Sequence, residues 1–119
     1  MIDHVVLQVA DLEKSRAFYN KALAPLGYRQ LADFPDGAGY GATRPVFWIG
    51  RRGTPHTQVH VAITAGDRST VDAFHAAALE AGGRDNGAPG PRPHYHEHYY
   101  GAFVLDPDGN NIEAVCHRG

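Results

Sequence analysis

Histidine is the unusual residue of this chain, with eight among 119 residues. Imidazole is the commonest metal-binding side chain and the usual general base near neutral pH. Two of the eight, His4 and His60, stand inside apolar segments, as Ile2-Asp3-His4-Val5 and Val59-His60-Val61. A third chemical group, Glu113, interrupts the apolar run Ile112-Glu113-Ala114-Val115. Two imidazoles and one carboxylate on rigid strands hold a divalent ion and leave positions open for water and substrate. An ion held in that way acts as a Lewis acid or activates a bound water. The competing reading of each histidine is a core imidazole with one satisfied hydrogen bond. Glu113 is harder to set aside, because a carboxylate buried among apolar residues needs a metal or a cationic partner.

A second concentration of reactive types is Pro93-His94-Tyr95-His96-Glu97-His98-Tyr99-Tyr100. If extended, it puts His94, His96 and His98 on one side and Tyr95, Glu97 and Tyr99 on the other. It reads either as a pocket wall that supplies a general acid or base, or as a solvated loop with aromatic residues at its base. On the first reading His96 and Tyr100 are the acid/base candidates, and His94, Tyr99 and Trp48 line the substrate pocket. His56, His75 and His117 read as surface or helix-face residues, and the single Cys116 as an inert thiol.

These residues are related by an internal repeat. Displacing the sequence by 56 positions superposes His4 on His60, Val5 on Val61, Asp11 on Asp67, Phe18 on Phe74, Leu23 on Leu79 and Gly27 on Gly83 without a gap. Gly-Tyr-Gly-Ala at 39–42 resembles Tyr-Tyr-Gly-Ala at 99–102, now displaced by 60. Aligning Phe47-Trp48-Ile49-Gly50 with Ile112-Glu113-Ala114-Val115 sets Trp48 opposite Glu113. Tryptophan cannot ligate a metal, so the expected site has three protein ligands. A pseudo-twofold axis between the halves would let His4 and His60 meet.

Each half predicts the order βαβββ. In the first, residues 2–9 read as a strand and Asp11 caps a helix from Leu12, which Pro25 and Gly27 end. Strands at 28–34, 39–43 and 46–50 follow. In the second, 57–64 is a strand, Asp67 opens a helix, Gly82-Gly83 ends it, and strands follow at 99–105 and 112–117. Residues 84–98, rich in Gly, Pro and His, read as mostly loop with a short strand near Arg84. Asp106-Pro107-Asp108-Gly109-Asn110 reads as a hairpin turn. Each helix has one apolar stripe and so covers one sheet face, which leaves the other face free to enclose something. The fold class is α+β, one domain over 1–119 made of module 1 (1–50), a linker (51–57) and module 2 (58–119).

Three segments resemble the vicinal oxygen chelate superfamily of glyoxalases, bleomycin-resistance proteins, fosfomycin-resistance enzymes and extradiol dioxygenases. They are Ile2-Asp3-His4-Val5, Asp11 with Ser15-Arg16-Ala17-Phe18-Tyr19, and Asp106 through Glu113. The resemblance spans essentially the whole chain. It implies paired βαβββ modules forming an incomplete barrel around a divalent metal or a binding cavity, and a homodimer, in some members with modules exchanged between chains. The ligand positions it implies fall on His4, His60 and Glu113. Glyoxalase I-like members usually carry a carboxylate or glutamine where this chain has Trp48. Extradiol dioxygenases use the same triad, and bleomycin-type binders share the fold without metal ligands.

Composition sets the outer limits. Hydrophobic residues are 43% and charged residues 20%, which suits a globular domain rather than a disordered chain. A net charge of −2 gives no reason to propose nucleic acid or an anionic membrane as partner. One cysteine allows no internal disulfide. Without a signal-like or membrane-length apolar run, a cytoplasmic location is the default expectation. The leading expectation is a metalloenzyme with one divalent ion (iron, manganese, nickel, cobalt or zinc) acting on a small oxygen-chelating substrate. Its reaction would be that of a glyoxalase-like lyase or isomerase, or of a ring-opening dioxygenase. The alternative is a metal-free protein that sequesters a planar or hydrophobic small molecule, with Trp48 and Tyr100 stacking on it.

Overall fold

A computed structural model describes residues 1–119 and contains the βαβββ order twice. Module 1 comprises β1 (Val5–Gln8), α1 (Leu12–Ala22), a 3₁₀ turn (Ala24–Leu26), β2 (Arg29–Phe34), β3 (Gly37–Gly41) and β4 (Phe47–Gly50). Module 2 comprises β5 (His60–Thr64), α2 (Arg68–Glu80), β6 (Arg84–Pro91), β7 (Tyr100–Leu105) and β8 (Asn111–Cys116). Both helices begin at the expected aspartates. Asp11 accepts from the Lys14 amide at 3.1 Å and Asp67 from the Thr70 amide at 2.8 Å, satisfying donors the first turn leaves free. The first helical segment closes at Gly27, whose φ of 81° suits a residue without a Cβ.

Each module makes its own four-stranded sheet, ordered β1-β4-β3-β2 and β5-β8-β7-β6, and neither closes into a barrel. β1 with β4 and β5 with β8 are parallel pairs, and the remaining pairs are antiparallel. The register tests the repeat. Val6 pairs with Trp48 and Ala62 with Glu113, so Trp48 and Glu113 are structural equivalents, as the alignment expects. The likeness between 39–42 and 99–102 is not an equivalence. Tyr40 pairs with Phe47 and Val104 with Ile112, so Tyr40 corresponds to Val104 and not to Tyr100.

Residues 84–91 correct a second expectation. They form an eight-residue strand, not mostly loop. As an edge strand, β6 tolerates Pro89 and Pro91, and its register with β7 shifts on both sides of Gly87, whose φ is 154°. Glycine and proline hid the strand because the only ladder it must complete is on one side.

The helices cover one face of each sheet. Leu12, Ser15, Phe18, Tyr19 and Ala22 are the buried residues of α1, and Val71, Phe74 and Ala78 those of α2. Leu79, expected in the stripe, is 38% exposed and lies at its margin. The two helices also pack on each other, and Phe18 reaches the turn between α2 and β6. A Cβ on Gly83 would stand 2.7 Å from Phe18 Cε1 and 2.5 Å from Val104 Cγ1, so only glycine allows that approach.

The 106–110 turn does more than reverse the chain. Asp106, 2% exposed, accepts the Tyr19 hydroxyl of α1 at 2.5 Å on Oδ2. Its Oδ1 accepts the amides of Asp108 and Asn110 at 2.9 and 2.8 Å. The Asn110 side chain accepts from Val59 N at 3.0 Å and donates to His56 O at 3.0 Å, which ties the linker down. One turn therefore holds both modules and the segment between them. Burial first, and the neighbouring Asp106 second, push the Tyr19 phenol well above its ordinary range, so it remains a donor. Tyr19→Phe should lower stability by about 1.5–3 kcal/mol, the usual value of a hydrogen bond to a charged group. Urea unfolding measures this, and a midpoint equal to wild type would contradict the role given to the turn.

Candidate functional site

Strand alternation decides which side chains can meet. Along β8, Ile112, Ala114 and Cys116 lie under α2, and Asn111, Glu113 and Val115 face the uncovered side. The register flanks Glu113 with Ala62 of β5 and Phe103 of β7. Glu113 is 1% exposed and yet carries a carboxylate. Its Oε1 meets His60 Nε2 at 2.7 Å, and its Oε2 accepts the Tyr99 hydroxyl. Gly101 makes the second contact possible, because a Cβ there would sit 3.1 Å from Tyr99 Cε1 and 3.2 Å from Glu113 Oε2.

His4 occupies the equivalent place in module 1, with different company. Its Nδ1 donates to Asp3 Oδ1 at 2.8 Å, and Arg44 Nη1 lies 3.5 Å from the same oxygen. The hydrogen bond from His4 first, and the Arg44 charge second, hold the Asp3 carboxyl below the usual carboxylate range. His4 and His60 both line a cleft of about 520 Å³ between β1 and β5, with Tyr28, Arg44 and Phe47. Within one chain, however, no three His, Cys, Asp or Glu side chains gather closely enough to hold an ion. The expected triad is thus two residues in contact, His60 and Glu113, and a third, His4, apart from them.

The 92–98 segment is a pair of tight turns and not extended, so the predicted alternation of His94, His96 and His98 does not hold. Tyr95 N donates to Arg92 O and Tyr99 N to His96 O, which folds the segment back over the open face of module 2. His96 lies edge-on to Tyr99 with ring centres 5.2 Å apart, and its Nε2 is 2.7 Å from His117 Nδ1. His117 also contacts the Tyr99 ring, at 5.4 Å. His117 is exposed, as the sequence reading has it, and it also belongs to the cluster. The signal that could have found it is its position four residues beyond Glu113, on the same alternate face. His94 is one ring further out, 4.3 Å from Tyr95, which in turn packs on Tyr99 at 4.9 Å.

Tyr100 requires a correction. It opens β7, just after the turn that carries Tyr99, and its side chain lies on the face covered by α2. There its hydroxyl donates to Asp72 of α2 at 2.7 Å and Arg68 lies over its ring at 4.9 Å. It is not placed to act as an acid or base at Glu113. Trp48 is on the open face of module 1, as expected from its equivalence with Glu113. Its ring lies on Gly39, where a Cβ would be 3.0 Å away, and stacks near-parallel with Phe34 at 6.2 Å. Phe34, which sequence reasoning did not select, shares with Val6, Gln8, Asp36, Arg52 and Trp48 a hollow of about 270 Å³.

The whole chain has close structural relatives, and the pattern of the Glyoxalase/Bleomycin resistance protein/Dioxygenase superfamily matches residues 1–114. The chain belongs to this superfamily. A glyoxalase/bleomycin resistance protein from Albidiferax ferrireducens T118 is 33% identical, with 98% of each chain covered and a TM-score of 0.83. A mutant glyoxalase I from Zea mays is 30% identical at a TM-score of 0.69, over 96% of this chain but 46% of that one. Lactoylglutathione lyase from Agrobacterium tumefaciens, at 19% identity and a TM-score of 0.72, shares the fold over 98% of this chain and 92% of its own. No curated protein matches. No helix is long and apolar enough to cross a membrane.

Burial first, then the hydrogen bond to Glu113 and its charge, raise the Tyr99 phenol far above its ordinary value. A raised folded value means that its stabilisation is complete below the unfolded value, near 10, and is lost as pH rises through the folded value. Tyr99→Phe should cost about 1–3 kcal/mol at neutral pH, with the difference from wild type shrinking only above about pH 10. Denaturant melts from pH 7 to 11 measure it, and a difference that vanishes by pH 8 would contradict the assignment.

Proposed function

We propose that the chain is a divalent-metal-dependent enzyme whose centre forms between two copies. His60 and Glu113 of one copy and His4 of the other would be the ligands. The observation that carries the reading is the convergence of His60 Nε2 and Glu113 Oε1 at 2.7 Å on a carboxylate that is 1% exposed. Imidazole nitrogen with carboxylate oxygen is a donor set that suits first-row divalent ions, and the residues present fit such an ion. His4 is half exposed and engaged only through Nδ1, which leaves its Nε2 available to a second copy. The open face of module 1 also exposes Val6 at 45% and Phe34 at 53% beside Trp48, an apolar surface of the kind that a partner covers.

When bound, the ion supplies Lewis acidity toward two neighbouring oxygens of a small substrate. Tyr99 keeps the second Glu113 oxygen occupied, so that Oε1 alone faces His60. His96 and His117 share one hydrogen bond between ring nitrogens, so one of the two nitrogens is an acceptor and bears no proton. This pair lies against the Tyr99 ring. In the reading we favour, that of a glyoxalase-like lyase or isomerase, His96 takes a proton from a carbon beside a carbonyl. It then returns the proton to the neighbouring carbon, so that the substrate leaves as an isomer and the ring ends as it began. A ring-opening dioxygenase would use the same ligands.

A second reading rests on the Trp48–Phe34 hollow and on a Glu113 carboxylate already satisfied by His60 and Tyr99. There the protein would bind a planar molecule on Trp48 without metal. Trp48 is the only tryptophan, so quenching of its emission by planar aromatic compounds in metal-free protein reports this directly.

Elemental analysis of untagged protein should find about one divalent ion per chain, lost in His60→Ala and in Glu113→Ala. Protein that takes up no ion after incubation with several divalent metals would exclude the enzyme reading and leave the binding one.

A further inference from the structure

The two histidines of the repeat are equivalent by sequence and by register, but their surroundings differ. Around His60, Nε2 faces the carboxylate of Glu113. Around His4, the position equivalent to Glu113 is Trp48, and the carboxylate instead meets the other ring nitrogen, Nδ1, from Asp3. The residue equivalent to Asp3 in module 2 is Val59, which has no polar side chain. The acidic partner of His4 is therefore peculiar to the half of the molecule that has Trp48 at the position equivalent to Glu113.

An imidazole whose Nδ1–H is held by a carboxylate carries its lone pair on Nε2, and it is a better donor there. Arg44 supports the arrangement from the turn before β4: its Nη1 lies 3.5 Å from Asp3 Oδ1 and its Nη2 3.5 Å from Asp3 O. The Asp3 side chain is 74% exposed, and its ion-pair partners are His4 and Arg44. We propose that Asp3 is a positioning residue that fixes His4 as the Nδ1–H tautomer and presents Nε2 to a divalent ion, with Arg44 steadying the carboxylate. The inference rests on the metal-dependent reading above. It adds that module 1 recovers through Asp3 part of the negative charge that Trp48 does not provide.

The test is zinc binding to the full-length protein against a chromophoric chelator, for wild type, His4→Ala, Asp3→Ala and Asp3→Asn. It is paired with ¹⁵N shifts of the His4 ring in metal-free protein above pH 7.5. Asp3→Ala should weaken zinc binding by about 10–100-fold and shift the ring toward the Nε2–H tautomer. Asp3→Asn, whose amide oxygen still accepts from Nδ1–H, should recover most of both. Melting temperatures should stay unchanged across the Asp3 variants. Zinc binding by Asp3→Ala equal to wild type, beside a clear loss in His4→Ala, would overturn the role of Asp3 and leave the metal reading intact. So would an unchanged tautomer. No zinc on wild type, or no loss in His4→Ala, would overturn both.

Discussion

A carboxylate in an apolar interior has to be answered, and the answer organises module 2. Glu113 sits on β8 between Ala62 and Phe103 with almost no exposure, where an unpartnered charge costs several kcal/mol. His60 and Tyr99 each take one oxygen. Satisfying them fixes the rest: β5 must run parallel beside β8 to bring His60 up, Gly101 must lack a side chain, and the 92–98 turns must fold back to deliver Tyr99. His96 and His117 then close around the Tyr99 ring. Module 1 has the same backbone and no such demand. With Trp48 in the equivalent place, it presents a flat apolar face.

This asymmetry gives the functional reading its shape. Two identical halves would build two identical half-sites. Here one half offers a nearly complete donor pair and the other offers one histidine and an aromatic shelf. On the proposed reading, a second copy joined face to face would set one polar wall and one apolar wall around a shared centre. The Asp106–Asn110 turn matters for the same reason, since it holds the modules to one another through Tyr19 and the linker.

Much of this was legible in the sequence, and the gaps have physical causes. The gapless repeat located both modules, and a separate alignment of 47–50 with 112–115 set Trp48 opposite Glu113, because an apolar alternation fixes strand register wherever one face is buried. The same comparison misled at 39–42 and 99–102, where a short likeness in Gly and Tyr ignored that the connection before β7 is longer. β6 was hidden because an edge strand needs pairing on one side only and so tolerates Gly and Pro. His96 was selected for its type and is in the cluster, but His117 and Asp3 were not selected. The Asp3 contact depends on a side chain turning toward its neighbour, which leaves no periodic trace, and the place of His117 beside Tyr99 depends on the 92–98 turns folding back, which the alternation along β8 alone does not show. Tyr100, expected at the pocket, instead meets Asp72 of α2, because the extended strand begins only at that residue and the segment before it is turned.

The central claim is a centre shared between copies, and mixing two defective chains tests it most directly. His4→Ala and Glu113→Ala chains are each expected to be metal-free alone. If His4 of one copy completes His60 and Glu113 of the other, an equal mixture refolded together contains dimers with one intact site. The account predicts about a quarter of the wild-type metal content in that mixture. A mixture as empty as either parent, beside a wild-type protein that binds its ion, would contradict the shared centre.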